Sequence, residues 1–293
     1  MLALSGLHLL LTYQCPYECD HCFVWGSPRQ KGVMTMGTIR EILRQARAMP
    51  SVTSICFEGG EPFLYAPILQ WGLGEAAARG YRTGVVTNAY WATAEEDAQA
   101  WLAPLEDKLH SLTLSSDCYH GSEEALSPAA LHARAAAERY GIASSVISVA
   151  QPEGATAPNQ GGVMYRGRAA ALLASRAPQQ PAEALTCCPH EDLRTPSRVH
   201  IDPFGYVHLC QGLCLGNLFE TPLPELCRAY DPDEHPIVGP LLAGGPLALA
   251  HGYDVPLREQ YADACQLCYE ARSALRVRFP KLLAPDAMYE VSV

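Results

Sequence analysis

Short apolar runs alternate along the first 177 residues with stretches whose apolar positions recur every three or four. Leu7–Thr12 is nearly continuous and of strand length, as expected for a strand buried on both faces. After Thr35, a helix N-cap candidate, Ile39, Ile42, Leu43, Ala46 and Met49 fall at helical spacing. Val52–Phe57 predicts the next strand, and a helix through Leu69–Arg79 ends at Gly80. Thr83–Thr87 follows as a strand, and Thr93-Ala94-Glu95-Glu96 reads as a capping box opening a helix. Leu109–Ser115 and Ala143–Ala150 read as strands around an alanine-rich helix over Ala129–Tyr140, and Gly162–Tyr165 as a short sixth strand before a last helix.

Strand–helix alternation implies an α/β fold with a parallel sheet and right-handed crossovers. Six units fall short of the eight that close a TIM barrel. Cys15, Gly59-Gly60-Glu61, Asn88, Asp117, Gln151-Pro152-Glu153-Gly154 and Arg166 each follow the carboxyl end of a strand, the end where such barrels build their sites. The rhythm stops at Pro178-Gln179-Gln180-Pro181, which reads as a linker, so the chain divides into a barrel over 1–177 and a smaller α+β domain over 178–293. In the latter, Val199–Cys210 predicts a hairpin turning at Phe204-Gly205.

Composition narrows the classes. The 293 residues are 48% hydrophobic, enough for a sizeable core, and a net charge of −10 without basic clusters argues against a nucleic-acid partner. Leu2–Leu11 lacks a basic n-region and a cleavage site, so it is read as a strand and not a signal peptide. No apolar run reaches the ~18 residues of a membrane-spanning helix. Twelve cysteines without an export signal point to a reducing cytoplasm, with thiols kept for metal.

The chemistry concentrates in Cys15-Pro16-Tyr17-Glu18-Cys19-Asp20-His21-Cys22, a C-x3-C-x2-C run. Zinc sites usually pair their ligands differently. Bacterial ferredoxins add a fourth cysteine followed by proline, which Phe23-Val24-Trp25 does not supply. Three thiolates on a cubane leave one iron open to a chelating ligand. The motif, its place after a first strand and the later Gly59-Gly60-Glu61-Pro62 resemble the radical S-adenosylmethionine (SAM) enzymes. In that family the open iron binds SAM, whose reductive cleavage gives a 5′-deoxyadenosyl radical. The family usually has an aromatic residue where His21 stands.

The resemblance implies a partial (β/α)6 TIM-like barrel, a [4Fe-4S] cluster on Cys15, Cys19 and Cys22, and SAM contacts from Phe23, Gly59, Gly60 and Glu61. It places ribose or carboxylate contacts at Asn88 and Ser115, where simple loop capping is the other reading. Arg168, in a Gly-Arg-Ala turn, pairs with the SAM carboxylate or forms a surface ion pair. Asp117 and His120 are candidates to take up a substrate proton, and Cys118 to quench a product radical; a plain polar loop is the alternative. Cys56, between Ile55 and Phe57, reads as core.

The C-terminal part resembles the SPASM and Twitch extensions of these enzymes, through Gly205-x4-Cys210, Gly216-Asn217-Leu218 and Cys265-x2-Cys268. One auxiliary [4Fe-4S] cluster on Cys188, Cys210, Cys265 and Cys268 is expected, with Cys214, Cys187 and Cys227 in reserve and structural zinc as the alternative. Relatives of this kind modify peptides or proteins, and an electron donor such as flavodoxin or ferredoxin is implied. The six residues before the first strand leave no room for a leader-binding domain, so a separate peptide-recognition protein is an expected partner. A small-molecule substrate, such as an amino acid or a sugar, is the second reading. A non-catalytic electron-transfer protein is the third, and such a protein would not need the Gly-Gly-Glu-Pro loop.

Overall fold

A computed structural model describes residues 2–121, 126–153 and 160–290; Gly154 lies outside them. Five strands, β1 (Gly6–Thr12), β2 (Ser54–Gly59), β3 (Arg82–Thr87), β4 (Ser111–Ser115) and β5 (Ala143–Ile147), pair in parallel in the order β5-β4-β3-β2-β1. Helices α1 (Met36–Ala46), α2 (Ala66–Ala78), α3 (Glu95–Leu102) and α4 (Pro128–Arg139) connect them. Thr35 caps α1 as expected, its hydroxyl accepting from the Thr38 amide at 3.0 Å. The α1 stripe of Ile39, Ile42, Leu43 and Ala46 is fully buried. In α4, Ala130, Ala133, Ala136 and Ala137 form an equally buried stripe. The expected capping box at Thr93 is absent: Ala94 is the N-cap, and Thr93 bonds the Asp97 carboxylate. Three acids in the first turn, Glu95, Glu96 and Asp97, favour the helix N-terminus instead.

The sixth strand expected at 162–165 does not form. There is only a bridge between Val149 and Gly161, and the chain then enters α5 (Arg168–Leu172). Nor is Pro178–Pro181 a free linker. Its end, β6 (Gln180–Pro181), pairs antiparallel with a later strand, β10 (Gln260–Tyr261). The sixth parallel strand comes from the C-terminal part: β7 (Arg198–Ile201) docks on the free edge of β1, with His8 opposite His200. The antiparallel strands β8 (Tyr206–Cys210) and β9 (Leu213–Asn217) extend the same eight-stranded sheet.

The β7–β8 turn falls at Phe204-Gly205, as the sequence predicts. Asp202 Oδ1 accepts from the Phe204 and Tyr206 amides at 2.9 Å each, and Gly205 takes φ 90°. Helices α6 (Leu223–Ala229), α7 (Val238–Gly252) and α8 (Ala264–Leu275) complete the C-terminal part. No described helix is long and apolar enough to cross a membrane.

Strand alternation sets what the inside of this half-barrel is made of. In β1, Leu7, Leu9 and Leu11 go to the core, while His8 and Leu10 face the interior. The same alternation turns Cys56 and Glu58 of β2, and Arg198 and His200 of β7, toward the same space.

Candidate active site

That space is a cavity of about 640 Å³, and Cys15, Cys19 and Cys22 all line it. The thiols sit among donors: the Tyr17 amide reaches Cys15 Sγ at 3.4 Å, Asn88 Nδ2 reaches the same sulfur at 3.4 Å, and the Gly26 amide reaches Cys22 Sγ at 3.3 Å. N–H groups aimed at sulfur suit thiolates better than thiols, whose sulfur accepts only weakly. Burial, against the Tyr17 hydrogen bond, pushes the Cys15 thiol up to about 12, and the charges of Glu61 and Cys22 add to it. Burial and the two neighbouring sulfurs raise Cys19 as well. Three such thiolates side by side need a cation among them, which is what an iron–sulfur centre supplies. The donor set therefore fits a cluster held by Cys15, Cys19 and Cys22.

Phe23, Gly59, Gly60, Asn88 and Ser115 line the same cavity, beside the cysteines. The glycines have a further reason to be glycine. A Cβ on Gly59, at φ 135°, would lie 2.4 Å from the Thr12 carbonyl oxygen, and one on Gly60 would lie 2.0 Å from that of Gln14. Backbone packs on backbone here, at the root of the cysteine loop. Glu61 does not line the cavity. It is fully buried, and its carboxylate accepts from the Phe63 amide (3.0 Å), the Thr87 hydroxyl (2.8 Å) and the Asn88 amide (2.8 Å). Burial pushes its carboxyl up to about 7 against those three hydrogen bonds. Glu61 thus holds the backbone of Asn88, which lines the cavity.

Arg168 also stands behind the site. Its fork donates to the carbonyls of Cys19 and Gly26 at 2.8 Å each, and its amide donates to that of Cys22 at 2.9 Å. It braces the cysteine loop, and both readings taken from the sequence, a carboxylate contact and a surface ion pair, give way to that. Its neighbour Arg166 does line the cavity, lying over the Phe23 ring with 5.2 Å from guanidinium carbon to ring centre.

Of the 117–120 loop, only His120 lines the cavity. Asp117 is buried and bonded to His120 Nδ1 (2.7 Å) and to the amides of Tyr119 and Val149 (3.1 Å each). Burial pushes its carboxyl up, but the His120 hydrogen bond and charge outweigh this and hold it below the usual range. Cys118 lies outside the cavity lining, its sulfur accepting from Gln151 Nε2 at 3.2 Å. His21, in the place of the family's aromatic residue, packs its ring against Tyr119 at 4.5 Å. Burial holds it down to about 4, so it packs there as a neutral ring.

The alternation along β1, β2 and β7 also brings in residues that motif reading missed: His8, Glu58, Arg198 and His200. Cys56 joins them, facing the cavity and not the core. Glu58 sits between two imidazoles, Oε2 at 3.1 Å from His8 Nδ1 and Oε1 at 2.5 Å from His200 Nδ1. Burial raises its carboxyl, yet the charges and hydrogen bonds of the two histidines win and hold it well below the usual range.

A second, tight cavity of about 20 Å³ is lined by Cys188, Cys210, Cys265 and Cys268 together with Arg166 and Arg272. Cys265 and Cys268 share one face of the first turn of α8, which Asp263 caps by accepting from the Gln266 amide at 2.7 Å. Burial pushes Cys268 up to about 11, against the opposing charge of Arg272. Arg272 is itself almost wholly buried, and Arg166 reaches the Cys210 sulfur at 3.0 Å. Two buried cations beside four thiols suit a negatively charged thiolate centre. The reserve cysteines lie elsewhere: Cys187 is exposed, Cys227 is in the core, and Cys214 contacts His208 Nδ1 at 3.4 Å.

Residues 9–115 match the family model of the radical SAM superfamily. A Bacillus subtilis (strain 168) protein described as the putative peptide biosynthesis protein YydG is 26% identical over 111 residues, 38% of this chain and 35% of that protein. The match thus spans about a third of that relative's length. Among solved structures, native anSMEcpe with bound AdoMet aligns at a TM-score of 0.52 and 14% identity, covering 94% of this chain and 97% of that one. BtrN in complex with AdoMet and 2-DOIA aligns at 0.50 and 14%, covering 78% and 83%. These two likenesses show the shared α/β fold. The family match takes in the strands that carry the cysteine loop, the Gly-Gly turn and Asn88, so over residues 9–115 the chain is similar to the radical SAM superfamily, whose enzymes use SAM and a [4Fe-4S] cluster.

Proposed function

We propose that this enzyme generates a radical from SAM in the larger cavity and uses it to remove a hydrogen atom from a peptide or protein substrate. The observation that carries the reading is the convergence of Cys15, Cys19 and Cys22 with Gly60, Asn88 and Ser115 on one cavity. Bound there, the cluster and SAM would supply the electron and the 5′-deoxyadenosyl radical. The chain's own residues do the rest. Cys15, Cys19 and Cys22 hold the cluster, and Arg168 braces their loop. Phe23, Gly59, Gly60, Asn88 and Ser115 shape the SAM pocket, with Glu61 fixing Asn88. Substrate would lie deeper, toward His120, Arg166 and the β1–β2–β7 wall. A peptide substrate is supported by the description of the B. subtilis relative. Cys188, Cys210, Cys265 and Cys268 are assigned to an auxiliary cluster, on the strength of their shared cavity with two buried arginines.

Anaerobically reconstituted chain with a strong reductant should convert SAM to 5′-deoxyadenosine. Replacing Cys15, Cys19 and Cys22 with Ala should abolish this and remove about four irons, while about four remain on the C-terminal cysteines. Undiminished 5′-deoxyadenosine from the triple variant would overturn the catalytic reading. Zinc without iron in that variant would overturn only the auxiliary cluster.

A further inference from the structure

The β1–β2–β7 wall of the large cavity carries its own set of side chains of metal-ligand type. His8 on β1, Cys56 and Glu58 on β2 and His200 on β7 all face the cavity. His8 is the register partner of both Cys56 and His200, so backbone pairing of three adjacent strands fixes these positions. One ligand atom each of His8, Cys56 and Glu58 lie within 4.8 Å of one another. The fourth group, His200, bonds Glu58 Oε1, the oxygen not facing His8.

We infer that this wall binds a divalent borderline metal ion, zinc or ferrous iron, through His8, Cys56 and Glu58, with His200 orienting the Glu58 carboxylate. One imidazole, one thiolate and one carboxylate are the donor types such ions take. The donor atoms need to close only modestly, since ligands ~2.0–2.3 Å from a tetrahedral ion lie roughly 3.2–3.8 Å apart. A carboxylate ligand held by an outer hydrogen-bond donor is the usual support for such sites. Three protein ligands leave a fourth position, and here it opens on the cavity. That position would take an oxygen or sulfur donor of the substrate and fix it beside the SAM pocket. The other groupings of this kind offer less. Asp117, between His21 and His120, already accepts three hydrogen bonds, and Cys265, near His190, lines the four-cysteine cavity.

The test uses the chain with its iron–sulfur sites filled, so that the cluster cysteines do not compete. After equilibration with Zn²⁺ and desalting, metal analysis should give about one zinc per chain beyond iron. His8→Gln and Cys56→Ala should lose it, with iron content and melting temperature unchanged. Cys187→Ser, which alters an exposed thiol, should keep it. X-ray absorption at the zinc edge of the unaltered chain should show one sulfur at ~2.3 Å and nitrogen or oxygen at ~2.0 Å, a result that stands even if a variant fails to fold. No zinc uptake, zinc retained by both variants, zinc lost with Cys187, or a shell of four sulfurs would each overturn the inference. Zinc is read without SAM, so this outcome is separate from that of the 5′-deoxyadenosine assay.

Discussion

Glu61 shows how a single buried carboxylate holds a cavity-lining residue in place. It accepts from three donors, and one of them is the amide of Asn88, whose side chain meets Cys15. Glu61→Gln turns an NH2 group toward one of these donors, leaving a buried N–H or O–H unpaired at a cost of about 1–3 kcal/mol. A lower melting temperature and weaker SAM binding should follow, measured by calorimetry. The sign of the pH effect is also fixed. The folded chain holds the Glu61 proton more tightly than the unfolded one, so its contribution to stability is full below about 4.5 and fades as pH rises through about 7. The variant should lose that slope, and a slope unchanged by the substitution would assign it to another group. Sequence alone singled out Glu61 but not its direction. A Gly-Gly-Glu motif states which residues are present, while its contacts come from Thr87 and Asn88 on the next strand. The two arginines differ in the same way: Arg166 and Arg168 stand two residues apart on either side of Gly167, at φ 60°, and Arg166 enters the cavity while Arg168 bonds the carbonyls of Cys19 and Gly26.

Among elements, the contact between the end of β1 and the Gly59-Gly60 turn sets the cysteine loop. The Gly60 amide donates to the Thr12 carbonyl at 2.7 Å and the Glu61 amide to that of Gln14 at 2.8 Å. Gly60→Ala has to push Gln14 away, and overpacking of that kind costs about 1–3 kcal/mol. We expect reduced iron retention at the N-terminal site in Gly60→Ala, with the C-terminal iron unaffected; normal iron at both would show that the loop yields freely. Most elements were legible because their signals are local. The apolar runs of β1 to β4, the Thr35 cap and the Phe204-Gly205 turn all follow from neighbours in sequence. The sixth strand was misplaced because an apolar fragment at 162–165 looks the same whether or not a sheet edge is near. The polar wall was missed for a related reason. His8 in an apolar run reads as an exception, until strand alternation is applied to β1, β2 and β7 together and places His8, Glu58 and His200 on one face.

At the scale of the whole molecule, the sheet does not respect the change in sequence character near residue 178. The order β2-β1-β7 puts a C-terminal strand against the first one, and the two cysteine-lined cavities share Arg166, which lines both. A chain truncated at residue 177 should therefore leave the β1 edge unpaired, along Leu7–Leu9, and aggregate where the full chain stays monodisperse in light scattering. A stable monomeric fragment would show that β1 needs no partner on that side. The same pairing has a consequence for biosynthesis. The partners His8 and His200 are separated by almost the whole barrel sequence, so closing this edge carries the entropy cost of a long loop. During synthesis β1 can pair with β2 long before it gains its second neighbour, because residues 54–59 precede residues 198–201 by nearly the length of the barrel. The His200 side of the large cavity is therefore the last to come into place, after the cysteine loop and the Gly59-Gly60 turn that sets it.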